Sequence, residues 1–236
     1  MISDRPEGSP ELLMVERAKG MAFAGGALVF PGGRVDEADR ALARDYPVEN
    51  AAARIAAIRE TLEETAVAVG ILPVPAPELC RELQHALLAG RGFGELLTEQ
   101  RLRLNLGMLT PLARWVPKFH AVRRFDTLFF VVGAPERVPE PQVVGGECAS
   151  AFWITAAEAL ERERSGEARL IFPTRRNLER LALHSSFEAM RADALAHSIA
   201  PITPWAETID GEEYITIPAD RGYPVTREKL DGLWRG

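Results

Sequence analysis

The sequence predicts an α/β fold, and three features of its patterning carry that expectation. Short apolar runs bounded by Gly and Pro recur at residues 11–15, 23–30, 112–116, 126–132 and 150–153, as strands do. Apolar residues recur at helical spacing over 51–69, 77–104, 156–164 and 174–197. The two kinds of segment share 236 residues that are 47% hydrophobic, enough for one large domain or a domain with sizeable insertions.

Taken in order, residues 11–15 form the first strand. The run ending at Phe30 meets Pro31 and then Gly32-Gly33. That is a buried strand closing in a tight loop, whose glycines let backbone approach a ligand or expose a carbonyl to a metal. A short helix is expected at 36–44, and Pro47 permits a fresh start. Asn50 is placed to cap a helix over 51–69 that Gly70 stops. Ile55, Ile58, Leu62 and Val69 supply its buried face. Residues 73–77 are a proline-rich loop. Beyond them Leu79, Leu83, Leu87 and Leu88 keep helical spacing, residues 90–94 break it, and Leu96, Leu97 and Leu102 mark a second helix. The apolar run 126–132 is continuous, as in a strand buried on both faces. Thr174, after Pro173, is expected to cap the helix 174–197. Pro201, Pro204, Pro218 and Pro224 predict an extended C-terminal arm over 201–236, with a short strand at 214–217. No repeat and no clean domain boundary interrupts the chain.

The chemistry concentrates in Arg59-Glu60-Thr61-Leu62-Glu63-Glu64-Thr65. At roughly 100° per residue, Glu60, Glu63 and Glu64 fall within about 100° of one another on one side of the helix. Like charges at such spacings repel and destabilise an isolated helix. A divalent cation in front of them accounts for the cluster, and hard oxygen ligands suit Mg²⁺ or Mn²⁺.

The strand, the Gly-Gly loop and this helix resemble the Nudix box of the Nudix hydrolases. That box reads Gly, five residues, Glu, seven residues, then Arg-Glu-U-x-Glu-Glu-x-Gly-U, with U apolar. Gly33 matches the opening glycine, and Arg59-Glu60 with Glu63-Glu64 match the core. Asp39 stands where the first Glu is expected, and 19 residues separate it from Arg59 instead of seven. Thr61 replaces an apolar residue and Ala66 replaces the later glycine. The interruption is similar to that of the subgroup containing the mammalian peroxisomal coenzyme A diphosphatase. Further similarity to that subgroup lies in Phe23 through Gly33, Arg114-Trp115, Arg123 through Thr127 and Trp153-Ile154-Thr155.

The resemblance implies a Nudix α/β/α sandwich with a mixed sheet, one domain over 1–236, with an insertion in the box at 40–50 and a helical insertion at 71–110. The helical insertion caps the site, builds a dimer surface or simply packs. It further implies a diphosphatase that hydrolyses a nucleoside diphosphate linked to another moiety. Glu60, Glu63 and Glu64, with a backbone carbonyl near Gly33, are implied metal ligands. Arg59 is expected to pair with Glu63 and hold its rotamer. Glu147, six residues before Trp153 and after Gly145-Gly146, is a further metal ligand or the base that deprotonates water. Asp39 is either structural or a substitute for the box's first Glu. Arg123 and Arg124, beside Phe119 and Phe125, are candidates to grip a phosphate and stack on a base. Because strand neighbours point to opposite faces, only one of the two arginines is expected in the pocket. Arg175 and Arg176 are either anion contacts or solvated charges. Ala22 stands where the coenzyme A diphosphatases carry an arginine. Nucleotide sugars, ADP-ribose and dinucleotides therefore remain candidates beside coenzyme A and acyl-coenzyme A. A non-catalytic nucleotide sensor on the same fold is the competing reading, and the intact glutamates favour catalysis.

Composition narrows the partners. The net charge of −6 offers no basic footprint for long nucleic acid. No apolar run reaches about 18 residues, so no membrane span is expected. Cys80 and Cys148 form neither a disulfide framework nor a zinc spacing, which suits a reducing compartment. With no apolar leader segment and no peroxisomal address, the expected location is cytoplasmic. Many relatives of this kind are dimers, which makes a homodimer the assembly to test.

Overall fold

The computed structural model describes residues 1–21, 24–117, 126–135 and 140–230. Its central sheet is mixed. β2 (Glu11–Arg17) pairs along its length with β8 (Cys148–Thr155), antiparallel, from Glu11↔Thr155 to Arg17↔Cys148. The other edge of β2 takes β1 (Ile2–Ser3) and β3 (Ala27–Val29), also antiparallel. β9 (Arg169–Leu170) adds to β3 in parallel. Leu12, Leu13, Met14 and Val15 are all buried, so β2 is the strand covered on both faces.

Helices take the two sides of this sheet. Residues 36–45 fold as α1 (Glu37–Leu42) and a following 3₁₀ turn, Ala43–Asp45. Asp36 starts α1 with a capping box: its carboxylate accepts from Asp39 N at 2.7 Å and Asp39 returns the bond at 3.0 Å. The box helix, α2, runs Ala51–Thr65. Ile55, Ile58 and Leu62 face a core shared with α3 (Pro77–Leu88) and α4 (Phe93–Glu99). The opposite core joins Leu12, Met14, Leu28 and Ile154 to α5 (Ala156–Arg164), α6 (Phe172–Leu181) and α7 (Phe187–Ala196). β4 (Ile71–Leu72) and β5 (Arg103–Leu104) form a small antiparallel pair. β6 (Thr110–Trp115) and β7 (Thr127–Val131) form another.

Several expectations change. α2 ends at Thr65, four residues before Val69, because Ala66 takes the left-handed conformation at φ 55° and turns the chain. Asn50 precedes α2, but its side chain makes no capping hydrogen bond. The helix expected from Thr174 starts at Phe172, with Pro173 in its first turn and Thr174 buried inside it. It also breaks in two, and Ser186 caps the second part by accepting from Ala189 N at 3.2 Å. β7 is only half-buried: among the described residues it pairs with β6 alone, Thr127 is exposed and Phe129 meets Phe30 edge-on at 6.1 Å. The cover is incomplete but comes from both sides: Phe129 and Val131 meet the core of Leu12 and Met14, and Phe130 meets the core of α2 and α3.

The C-terminal arm carries more structure than one short strand. β10 (Trp205–Ile209), β11 (Glu212–Thr216) and β12 (Arg227–Lys229) form an antiparallel sheet. Ile202, Ile215, Ile217 and Tyr223 from this arm enter the core. The Tyr223 hydroxyl accepts from Trp115 Nε1 at 3.0 Å and donates to Asn177 Oδ1 at 2.8 Å. No helix among the described residues is long and apolar enough to cross a membrane.

Candidate functional site

α2 and the loop after β3 bring the box residues together. The Gly32 amide donates to Glu64 Oε2 at 2.9 Å. A Cβ on Gly33 would stand 2.3 Å from the Glu60 carboxyl carbon, so any side chain there would displace that carboxylate. The loop glycine thus lets backbone lie directly against an acid of the helix.

Arg59 anchors the other side. Its Nε and Nη2 donate to the two oxygens of Asp39 at 3.0 and 2.9 Å. Nη2 also donates to Arg34 O at 3.1 Å, while Nη1 lies 3.0 Å from Glu60 and 3.4 Å from Glu63. The expected Arg59–Glu63 pair is present, but the bidentate contact with Asp39 is the firmer one. Burial alone would lower the Arg59 pKa; Asp39, with Glu60 and Asp36, more than offsets this and holds it raised. Asp39 is 1% exposed at its side chain, and both its oxygens are engaged by Arg59 and its own cap. Its place in the structure is to fix the guanidinium.

The acids are poorly neutralised. Burial pushes Glu60 up to about 7; Arg59 opposes that shift and Glu63 adds to it. Burial likewise pushes Glu64 up to about 7, against the Gly32 hydrogen bond and with the repulsion of Glu60. Glu63 remains partly open to solvent. Beside Glu64 lies the Cys148 thiol, pushed up to about 12 by burial and then by the Glu64 carboxylate. Arg17, at the end of β2 opposite Cys148, adds a cation that acts on both, and its buried Nε has no hydrogen-bond partner.

Glu147 sits exposed at the start of β8, and its carbonyl accepts from Ala18 N at 2.9 Å. Among the described residues no three His, Cys, Asp or Glu side chains converge as a ready cage for a metal ion. The donor set nevertheless fits a hard divalent cation chemically. It is all oxygen, it includes one buried and one half-buried carboxylate whose pKa values desolvation raises to about 7, and Gly33 lies against one of them. Glu60, Glu63 and Glu64 are the side chains able to hold such an ion, with the Gly33 carbonyl and Glu147 as further donors.

The turn between α3 and α4 borders this region. A cavity of about 320 Å³ has Asp39, Arg59 and Glu63 on one wall and Leu87, Gly92 and Phe93 on the other. Phe119, Arg123 and Arg124 lie outside the described residues. Arg175 and Arg176 are neither solvated nor free to grip a phosphate. Arg175 forms a bidentate pair with Glu163 at 2.7 and 2.8 Å and reaches Glu228, and Arg176 reaches Glu179 at 2.8 Å and Glu228 at 2.9 Å.

Three residues near the site carry no motif. Arg17 closes an apolar strand, Cys148 opens another, and Gln84 interrupts the apolar stripe of α3. A polar residue inside such a stripe is the one signal that sequence offered for Gln84.

No protein-family model matches the chain. Among solved structures the chain is similar to a Nudix hydrolase from Alicyclobacillus acidocaldarius. The TM-score is 0.71 and the identity 29%, covering 85% of this chain and 94% of that one. The likeness supports the Nudix superfamily and gives the mixed α/β architecture described above its counterpart.

Proposed function

We propose that this chain is a metal-dependent diphosphatase that cleaves a phosphoanhydride in a nucleoside diphosphate linked to a second moiety. One observation carries the reading: Glu64, buried, and Glu60, half-buried, lie on one face of α2, are pushed up to about 7, and are set against the glycines that end β3. Carboxylates kept in that condition cost the fold free energy unless a cation joins them. Likeness to a Nudix hydrolase supports hydrolysis of this general kind.

When bound, Mg²⁺ or Mn²⁺ neutralises diphosphate charge and lowers the pKa of water. The residues of the chain supply the rest. Glu60, Glu63 and Glu64 present oxygens from successive turns, and Arg59, fixed by Asp39, keeps Glu60 and Glu63 from rotating away. Glu147, exposed on its glycine-preceded segment, acts in this reading as a further ligand or as the group that takes the proton from water. Arg17, with an unpaired buried donor at the edge of this cluster, is suited to a phosphate oxygen.

The interrupted box favours coenzyme A or acyl-coenzyme A, while Ala22 keeps nucleotide sugars, ADP-ribose and dinucleotides in contention. The test is hydrolysis of coenzyme A, acyl-coenzyme A, ADP-ribose and NADH with Mg²⁺ or Mn²⁺, with product masses identifying the broken bond. A metal-dependent product from at least one, lost in Glu64→Gln, is expected. Tight binding without turnover across the set would replace catalysis by nucleotide sensing.

A further inference from the structure

α3 carries one fully buried polar side chain, Gln84, between Leu83 and Leu87. Its Nε2 donates to two backbone carbonyls. One is Glu63 O at 3.0 Å, on the box helix; the other is Gln142 O at 2.8 Å, on the segment leading to Glu147. Both partners can only accept, so the amide nitrogen must face them and the side chain has one orientation. Its Oε1 is buried without a partner. An orphaned buried acceptor costs about 1–3 kcal/mol. Leu or Met would fill this space without that cost, so packing does not account for Gln84, whereas the two carbonyl bonds do.

Those bonds are half of a clamp. Gln142 N donates to Thr65 O at 2.7 Å, so both backbone polar groups of Gln142 are held, one by the end of α2 and one by α3. Residues 143–146 then lead to Glu147, whose carbonyl is tied to Ala18 N. Within that span Gly145 has φ 95°, and a Cβ on it would lie 3.6 Å from Leu88 of α3. The segment bearing Glu147 is therefore pinned at both ends and rests on α3 between them.

We propose that Gln84 is a positioning residue: by joining Gln142 to the backbone of Glu63, it sets where Glu147 stands relative to the acids of α2. This rests on the diphosphatase reading with Glu147 as a participant. It gives α3 a part in the reaction that packing alone would not.

Gln84→Met keeps the length and loses the donors; Gln84→Glu keeps the shape and replaces the donor nitrogen with oxygen. On whichever of coenzyme A, acyl-coenzyme A, ADP-ribose and NADH is cleaved fastest, each variant should lower kcat about tenfold to a hundredfold. KM should move by less than about twofold. In a Glu147→Gln background the same changes should have no further effect, because the two residues act through one contact. An equal loss in both backgrounds, or an unchanged kcat in both variants, overturns the proposal. If Glu147→Gln retains parental kcat while Glu64→Gln has none, the diphosphatase reading stands and the positioning role falls. If none of the four compounds is cleaved, amide hydrogen exchange decides. Gln84→Met should speed exchange over 143–147 about tenfold and leave α5 unchanged; no change over 143–147 overturns the clamp.

Discussion

Two groups of carboxylates in this chain sit in similar burial and meet different partners. Beside α6, Glu163, Glu179 and Glu228 are each hydrogen-bonded by Arg175 or Arg176, and the arginines link α5, α6 and β12. On α2, Glu60 and Glu63 share one nitrogen of an Arg59 that is already committed to Asp39, and Glu64 has a backbone amide and a thiol. The first group ties elements together. The second is left with negative charge that the protein itself does not neutralise, which is what an ion-binding site requires and a structural ion network avoids.

The largest effect separates the two in activity. Glu64→Gln should lower kcat by about 10²- to 10⁴-fold, the range for losing a group that acts on the reacting atoms. Glu163→Gln should leave kcat unchanged. Parental turnover in Glu64→Gln, with the best substrate of the panel, would erase the distinction.

The second effect is on stability and runs the other way. Arg176→Met strands Glu179 and weakens the hold on Glu228, and should cost about 3–5 kcal/mol in urea unfolding, as breaking a buried pair does. It should not alter the response of the fold to Mn²⁺. A loss below about 1 kcal/mol would make this network no more than a surface ion pair.

A third effect is the pH dependence of the metal-free protein. Glu60 and Glu64 titrate near 7 in the fold, against about 4.5 for an ordinary glutamate. Between those values the native state binds more protons than the unfolded chain, so this pair makes stability fall as pH rises. The loss, on the order of 3 kcal/mol for each acid, is complete above pH 7 and absent below pH 4.5. Urea unfolding in EDTA should therefore give a lower stability at pH 8 than at pH 5.5, and Glu64→Gln should narrow the gap. Mg²⁺ or Mn²⁺ should stabilise more at pH 8, where the ligands are deprotonated. A pH-independent metal effect would contradict the assignment of these acids.

The contrast also explains what sequence could reveal. The placement of Glu60, Glu63 and Glu64 together on α2 beside Gly32-Gly33 was legible because their spacing is local. Strands β2 and β8 and helix α5 were legible for the same reason: period and capping are written in adjacent residues. The roles of Arg175 and Arg176 were not, since Glu163 and Glu228, which tie them to other elements, lie 12 to 53 residues away, and only Glu179 is a local partner. Asp39 needed contact with Arg59, 20 residues on, before its role was clear. Gln84 depends on a carbonyl 58 residues away, which no local pattern encodes. The C-terminal sheet escaped because its prolines mark turns as readily as an extended arm.

The smallest predicted effect concerns how each region ends its helix. α2 stops at Ala66 with φ 55°, a left-handed cap that disfavours any residue with a Cβ, while α6 stops at Ala182 with φ −62°, an ordinary helical value. Ala66→Gly should therefore stabilise the protein by about 0.5–1 kcal/mol, since glycine reaches the left-handed conformation without steric cost. Ala182→Gly should destabilise it by a similar amount, because glycine only adds freedom to the unfolded chain there. Both can be read from urea midpoints at constant m. The Ala66 change places glycine where the Nudix box has one, in the residue that turns the chain out of the acid-bearing helix. If it stabilises without changing kcat, the alanine is a tolerated strain at the end of α2. If it lowers kcat, the direction in which the chain leaves α2 helps set Thr65 and, through it, the clamp at Gln142.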